Sequence, residues 1–121
     1  MNYVLDTNVV IYAQKGVLVE PLPLGRFFVS VITEIELLSF HGLTADQDCA
    51  VREMLADVTI VEINPSIKSM AISIRRRYRL RIPDAIIAAT GMVVEAELLT
   101  NDSNLNQVVG LRHRNLKLKQ G

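Results

Sequence analysis

The chain has 121 residues, half of them apolar and 21% charged, with six Gly and four Pro. That supplies one core and leaves too little polar, low-complexity sequence for disorder, so a single domain over residues 1–121 is expected. One cysteine, Cys49, excludes an intramolecular disulfide and a Cys-based zinc cluster, and it reads as a small buried or half-buried helix residue.

Tyr3-Val4-Leu5 is a short β-prone run that ends in Asp6, and Asp6-Thr7-Asn8 then offers capping chemistry for a helix over residues 9–14 that Gly16 ends. Pro21, Pro23 and Gly25 make residues 17–25 a loop. Residues 26–30 read as a buried strand. Ser30 or Thr33 caps the helix that follows, whose apolar positions Ile35, Leu38 and Phe40 are helically spaced, and Gly42 closes it. Thr44-Ala45-Asp46-Gln47 resembles a capping box and opens a helix to about residue 56, with Val51, Met54 and Leu55 inward. β-Branching and partial alternation make residues 59–63 a strand.

Asn64-Pro65-Ser66 starts a long helix to about Tyr78, with Ile67, Met70, Ala71, Ile74 and Tyr78 on one face and Arg75, Arg76 and Arg79 on the other. Pro83 suits the first turn of the next helix, over residues 84–96. Leu98-Leu99-Thr100 is a buried strand, and the alternation at 115–119 predicts an edge strand. Strands alternating with helices predict an α/β fold, a short parallel sheet with helices on both faces. No secretory leader is read at the N-terminus, and no run approaches the roughly 18 apolar residues of a membrane span, so a cytoplasmic location is expected.

In open α/β sheets, ligands bind beyond the carboxyl ends of the strands. Asp6 follows the first strand there, Glu34 and Glu36 open the helix after the second, Asp102 follows the 98–100 strand, and Asp84 opens an almost wholly apolar helix. Singly, each acid is explained by the helix N-terminus it occupies, where carboxylates gain a few tenths to about 1 kcal/mol. Together in one crevice they would raise one another's pKa, a cost that a divalent cation removes. An oxygen-rich set of Asp, Glu and Asn without Cys or His suits Mg²⁺ or Mn²⁺. The chemistry such an ion supplies is phosphodiester hydrolysis, in which no side-chain nucleophile is needed.

The same residues carry a resemblance that spans nearly the whole chain. Val4-Leu5-Asp6-Thr7-Asn8, the stretch Ser30-Val31-Ile32-Thr33-Glu34-Ile35-Glu36-Leu37-Leu38, the stretch Ile82-Pro83-Asp84-Ala85-Ile86-Ile87-Ala88-Ala89-Thr90, and Leu98-Leu99-Thr100-Asn101-Asp102 are similar to the four motifs of PIN-domain ribonucleases, and among them of VapC-like toxins. Each motif alone is weak; all four in order are fairly specific. The resemblance implies a three-layer α/β/α fold and an Mg²⁺- or Mn²⁺-dependent endoribonuclease. It also implies a small antitoxin partner, an RNA substrate and a homodimer.

By the resemblance, Asp6, Glu36, Asp84 and Asp102 ligate or orient the metal. Glu36 is preferred to Glu34 from its register against Leu37-Leu38, and residues two apart do not share a helix face. Thr7 and Asn8 are read as holding Asp6 or touching phosphate, although capping explains Thr7 equally well. Many relatives carry an acid where this chain has Asn104, which leaves that position a neutral oxygen donor.

Residues 1–64 hold nine acids and three bases, and the remainder holds ten bases and four acids. Arg75, Arg76, Arg77, Arg79 and Arg81 lead directly into Asp84, as an RNA track beside a metal site would. An arginine-covered helix face in water reads the same way. His41 and His113 are surface or turn residues by context. Two competing assignments stand beside the nuclease: a non-enzymatic PIN-fold binding module with an incomplete site, and a phosphoryl-transfer receiver domain. The receiver needs adjacent acids after the first strand and a Lys after the last, and neither is clear.

Overall fold

The computed structural model describes residues 1–120. Strands β1 (Asn2–Leu5), β2 (Arg26–Ser30), β3 (Thr59–Val61), β4 (Glu97–Leu99) and β5 (His113–Arg114) form one sheet. The helices are α1 (Thr7–Lys15), α2 (Val31–Leu38), α3 (Ala45–Ala56), α4 (Pro65–Arg77) and α5 (Ile82–Val93), with a short 3₁₀ turn at Ser103–Gln107. The strand order is β3-β2-β1-β4-β5, with every pair parallel. The chain thus builds outward from β1 through β2 to β3, then returns to lay β4 on the other side of β1. The topological switch lies between β1 and β4, where open α/β sheets form their ligand crevice.

Strand periodicity sorts the core into two layers. Val4 and Leu98 point to one face, where they meet Ile67, Ala71 and Ile74 of α4 and Ile87, Ala88 and Ala89 of α5. Tyr3, Leu5, Val29 and Leu99 point to the other, against Val9 and Val10 of α1, Leu37 of α2, and Val51 and Leu55 of α3. The architecture is therefore the three-layer α/β/α one. Helix α5 is the most deeply set, and its small residues let it lie close to its neighbours. A Cβ added at Gly91 would come within 3.3 Å of a Leu111 methyl. No described helix is long and apolar enough to cross a membrane.

Helix starts follow side-chain chemistry. Asp6, Ser30, Thr44 and Asn64 are the N-caps of α1 to α4, each accepting a backbone N–H with its side chain. Thr44 and Gln47 form a complete capping box. Gly16 ends α1 at φ 69°, the left-handed geometry that disfavours a Cβ.

Four local expectations are corrected. Helix α1 starts at Thr7, two residues early, because Asp6 alone is the cap. On α2, Thr33 and Leu37 are the buried residues, so Ile35 is 56% exposed and Phe40, beyond the helix end, 66%. The apolar count misleads there because the inward threonine has a polar partner, Thr7, 3.0 Å away. Cys49 is exposed, since Val51 and Leu55 turn the opposite face of α3 inward. The edge strand is His113–Arg114, not residues 115–119. The alternating tail is half-buried at Leu116, but its backbone bonds to the Asn101 side chain and to the loop after α1, where Leu18 and Leu118 form an antiparallel bridge.

Candidate active site

Asp6 is the first residue beyond β1, and its N–H donates to the Leu99 carbonyl of β4 at 3.0 Å, which places it on the β1/β4 switch. It is 4% exposed. Its Oδ1 accepts the Thr7 N–H at 2.8 Å as the cap of α1, and its Oδ2 accepts the Thr100 hydroxyl at 2.6 Å. Burial pushes its pKa above the usual carboxylate value. The two hydrogen bonds oppose that shift, and the negative charges of Asp84 and Asp102 add to it. The charges of Asp84 and Asp102, from two other stretches of chain, thus act on Asp6 at the carboxyl end of the sheet.

Thr100 organises two of them. It is fully buried just past β4; its hydroxyl oxygen accepts the Asp102 N–H at 3.0 Å while its proton goes to Asp6. The Asp102 carboxylate caps the 3₁₀ turn by accepting the Asn104 N–H at 3.0 Å. Glu36, exposed on α2, joins from the other side: the Thr7 hydroxyl donates to its Oε1 at 2.7 Å. Asp84 sits in the first turn of α5 with its side chain 15% exposed, and Arg81 Nε lies 3.3 Å from its Oδ2.

A chain of contacts therefore runs Glu36–Thr7–Asp6–Thr100–Asp102, with Asp84 within electrostatic reach of Asp6. Glu34 faces elsewhere. It helps hold the Arg52 guanidinium charged on α3, a pKa raised chiefly by the Asp48 hydrogen bond. Asn8 is exposed, as is Asn104, which contributes its backbone N–H. Two of the five clustered arginines serve the fold: Arg75 donates to the Leu80 carbonyl, and Arg77 lies over the Tyr78 ring.

Among the described residues, no three His, Cys, Asp or Glu are gathered closely enough to form a ready-made metal cage. The chemistry of the donor set nevertheless fits a hard cation. All of its side-chain donors are oxygens, and the raised pKa of Asp6 is a penalty that a divalent positive charge would reverse.

The PIN-domain model matches residues 3–111. The chain belongs to the PIN-domain family. Its fold is similar to that of a toxin–antitoxin complex from Klebsiella pneumoniae, at 26% identity and TM-score 0.73 over 89% of this chain and 92% of that one. It is also similar to VapBC-5, a member of the VapBC family of toxin–antitoxin systems from Mycobacterium tuberculosis, at 28% identity and TM-score 0.74 over 96% and 98%. DNA-bound VapBC from Salmonella typhimurium shares the fold at 20% identity and TM-score 0.79 over 95% and 98%. Comparison with curated proteins gives no match.

In this PIN domain, the sequence singles out the acids and Thr7 as site candidates, but neither Thr33 nor Thr100 is among them. Thr33 and Thr100, both fully buried, sit beside acid-bearing segments and carry the contacts that orient Thr7 and Asp6. The available signal was positional: a threonine at the inward end of a strand or helix, next to an acid, needs a polar partner once buried.

Proposed function

We propose that this PIN domain is an Mg²⁺- or Mn²⁺-dependent endoribonuclease and the toxin half of a VapBC-type pair. The observation that supports the reading is the chain of contacts Glu36–Thr7–Asp6–Thr100–Asp102 across the β1/β4 switch. Burial chiefly raises the pKa of Asp6, and the charges of Asp84 and Asp102 add to that shift. Asp6, Glu36, Asp84 and Asp102 are the residues that would hold the ion. When bound, it would acidify water and stabilise charge on the leaving oxygen of a phosphodiester. The chain's own part is orientation: Thr100 and the Thr7 N–H fix the two oxygens of Asp6, and the Thr7 hydroxyl fixes Glu36.

Two similar structures, both above 25% identity, are described as toxin–antitoxin assemblies, which supports a small protein antitoxin as partner. We assign RNA as the substrate, a homodimer as the working state and the cytoplasm as its location. The test is cleavage of RNA with Mn²⁺ supplied or chelated. Cleavage by the wild type, lost on chelation and lost in Asp6→Ala, is expected; metal-independent cleavage, or an Asp6→Ala protein as active as wild type, refutes the site. The binding-module reading keeps one observation, that Asn104 stands exposed where an acid would complete the set. Calorimetric titration showing no Mn²⁺ binding would favour it.

A further inference from the structure

Arg81 is the N-cap of α5, yet it provides no side-chain cap. Helix physics disfavours it there: the position prefers Ser, Thr, Asp or Asn, and the positive end of the helix dipole repels a cation. Its guanidinium turns instead along the first turn of the helix to Asp84, three residues on, with Nε 3.3 Å from Oδ2. The two partners differ sharply in exposure. The Asp84 side chain is 15% exposed and the Arg81 side chain 79%. Asp84 is thus largely covered by the fold, and Arg81 reaches it from solvent. The carboxylate that Arg81 touches is also one of the charges acting on Asp6.

We propose that Arg81 is a built-in cation stand-in: it occupies Asp84 while the acidic crevice lacks a divalent ion, and it becomes a phosphate-positioning residue once the ion displaces it. This rests on the nuclease reading above. One divalent charge cannot balance four carboxylates, so an RNA phosphate approaching the loaded crevice still meets net negative charge. A guanidinium tethered at the mouth and released from Asp84 offsets that repulsion, and its planar fork suits a phosphate oxygen pair. The ion and Arg81 compete for the same carboxylate, so removing the arginine shifts ion binding and RNA binding in opposite directions. A purely structural role would not do that.

The experiment compares wild type, Arg81→Gln and Arg81→Lys. Mn²⁺ affinity is measured by calorimetry without RNA, and kcat and KM with a labelled RNA oligonucleotide at saturating Mn²⁺. Loss of an exposed ion pair tightens Mn²⁺ binding by about two- to fivefold in Arg81→Gln. Loss of one charged phosphate contact raises KM by about tenfold, with a smaller change in kcat. Arg81→Lys falls between the two on both axes, since it keeps the charge and loses the fork. Unchanged or weakened Mn²⁺ affinity in Arg81→Gln, or an unchanged KM, overturns the proposal and leaves the nuclease intact. A wild type that binds no Mn²⁺ removes the nuclease reading itself, and the stand-in with it.

Discussion

Asp6 is asked to cap a helix, where a negative charge is welcome, and to sit buried beside two other carboxylates, where it is not. Burial and those neighbours win, and its pKa is raised. A folded-state pKa above the unfolded value means that the folded chain holds this proton to higher pH. Stability from this group is then fully present below the unfolded pKa and is lost as pH rises through the folded one. Asp6→Asn keeps an oxygen to cap α1 and removes the charge. In the presence of a chelator it is expected to be more stable than wild type at pH 7, by the ~0.5–2 kcal/mol typical of relaxing a functional site, and level with it near pH 3. Denaturant melts at both pH values measure the gap; a variant less stable than wild type at pH 7 would show that the crevice does not penalise the charge. Thr100→Val preserves shape and deletes the hydroxyl between Asp6 and Asp102. Two buried polar groups then lose a partner, at about 1–3 kcal/mol each, so the fold loosens and Mn²⁺ binding weakens. Wild-type Mn²⁺ affinity in Thr100→Val would rule out its positioning role.

At the scale of elements, α3 covers the second face of the core with Val51 and Leu55, and its start depends on the reciprocal Thr44–Gln47 bonds, at 3.1 and 3.0 Å. Thr44→Ala leaves first-turn N–H groups to water and is expected to lower stability by about 1 kcal/mol without altering cleavage. A denaturant midpoint equal to wild type would contradict it. This cap was legible because a capping box is written in four consecutive residues. So was the run from Asn64 into α4, where the cap and a first-turn proline coincide. What could not be read depends on partners distant in sequence. Thr33 faces inward only because Thr7 waits there, and that reverses which apolar residues of α2 are exposed. The alternation at 115–119 reports a half-buried segment correctly, but Asn101 and the loop after α1 take the backbone bonds that an edge strand would give to β4. Arg114 holds the true edge, 2.8 Å from Glu97 and over the Tyr3 ring, a pairing that no local pattern announces.

For the molecule as a whole, the parallel order was legible in the alternation of strands and helices, and with it the end of the sheet where the acids gather. Which strands neighbour β1 was not, and that neighbourhood is what brings Asp102 to Asp6. The split of charge between the two halves of the chain takes its meaning from the same topology. Asp6 and Glu36 of the first half lie on one chain of contacts with Asp102 of the second, and Arg81 of the second half pairs with Asp84 there. Arg75 and Arg77 are occupied by Leu80 and Tyr78, which leaves exposed Arg76 and Arg79 as the bases to test for a phosphate track. Each phosphate neutralised on a single strand contributes about 0.7 to the slope of log affinity against log salt. With Asp6→Asn as the uncleaving background, replacing Arg76 and Arg79 by Gln is expected to flatten that slope by about 1.4 if each contacts one phosphate. Fluorescence anisotropy of a labelled RNA between about 50 and 200 mM salt reads it. An unchanged slope would return these arginines to the role of a solvated helix face, with their stems on apolar surface, and leave the attraction of RNA to other bases.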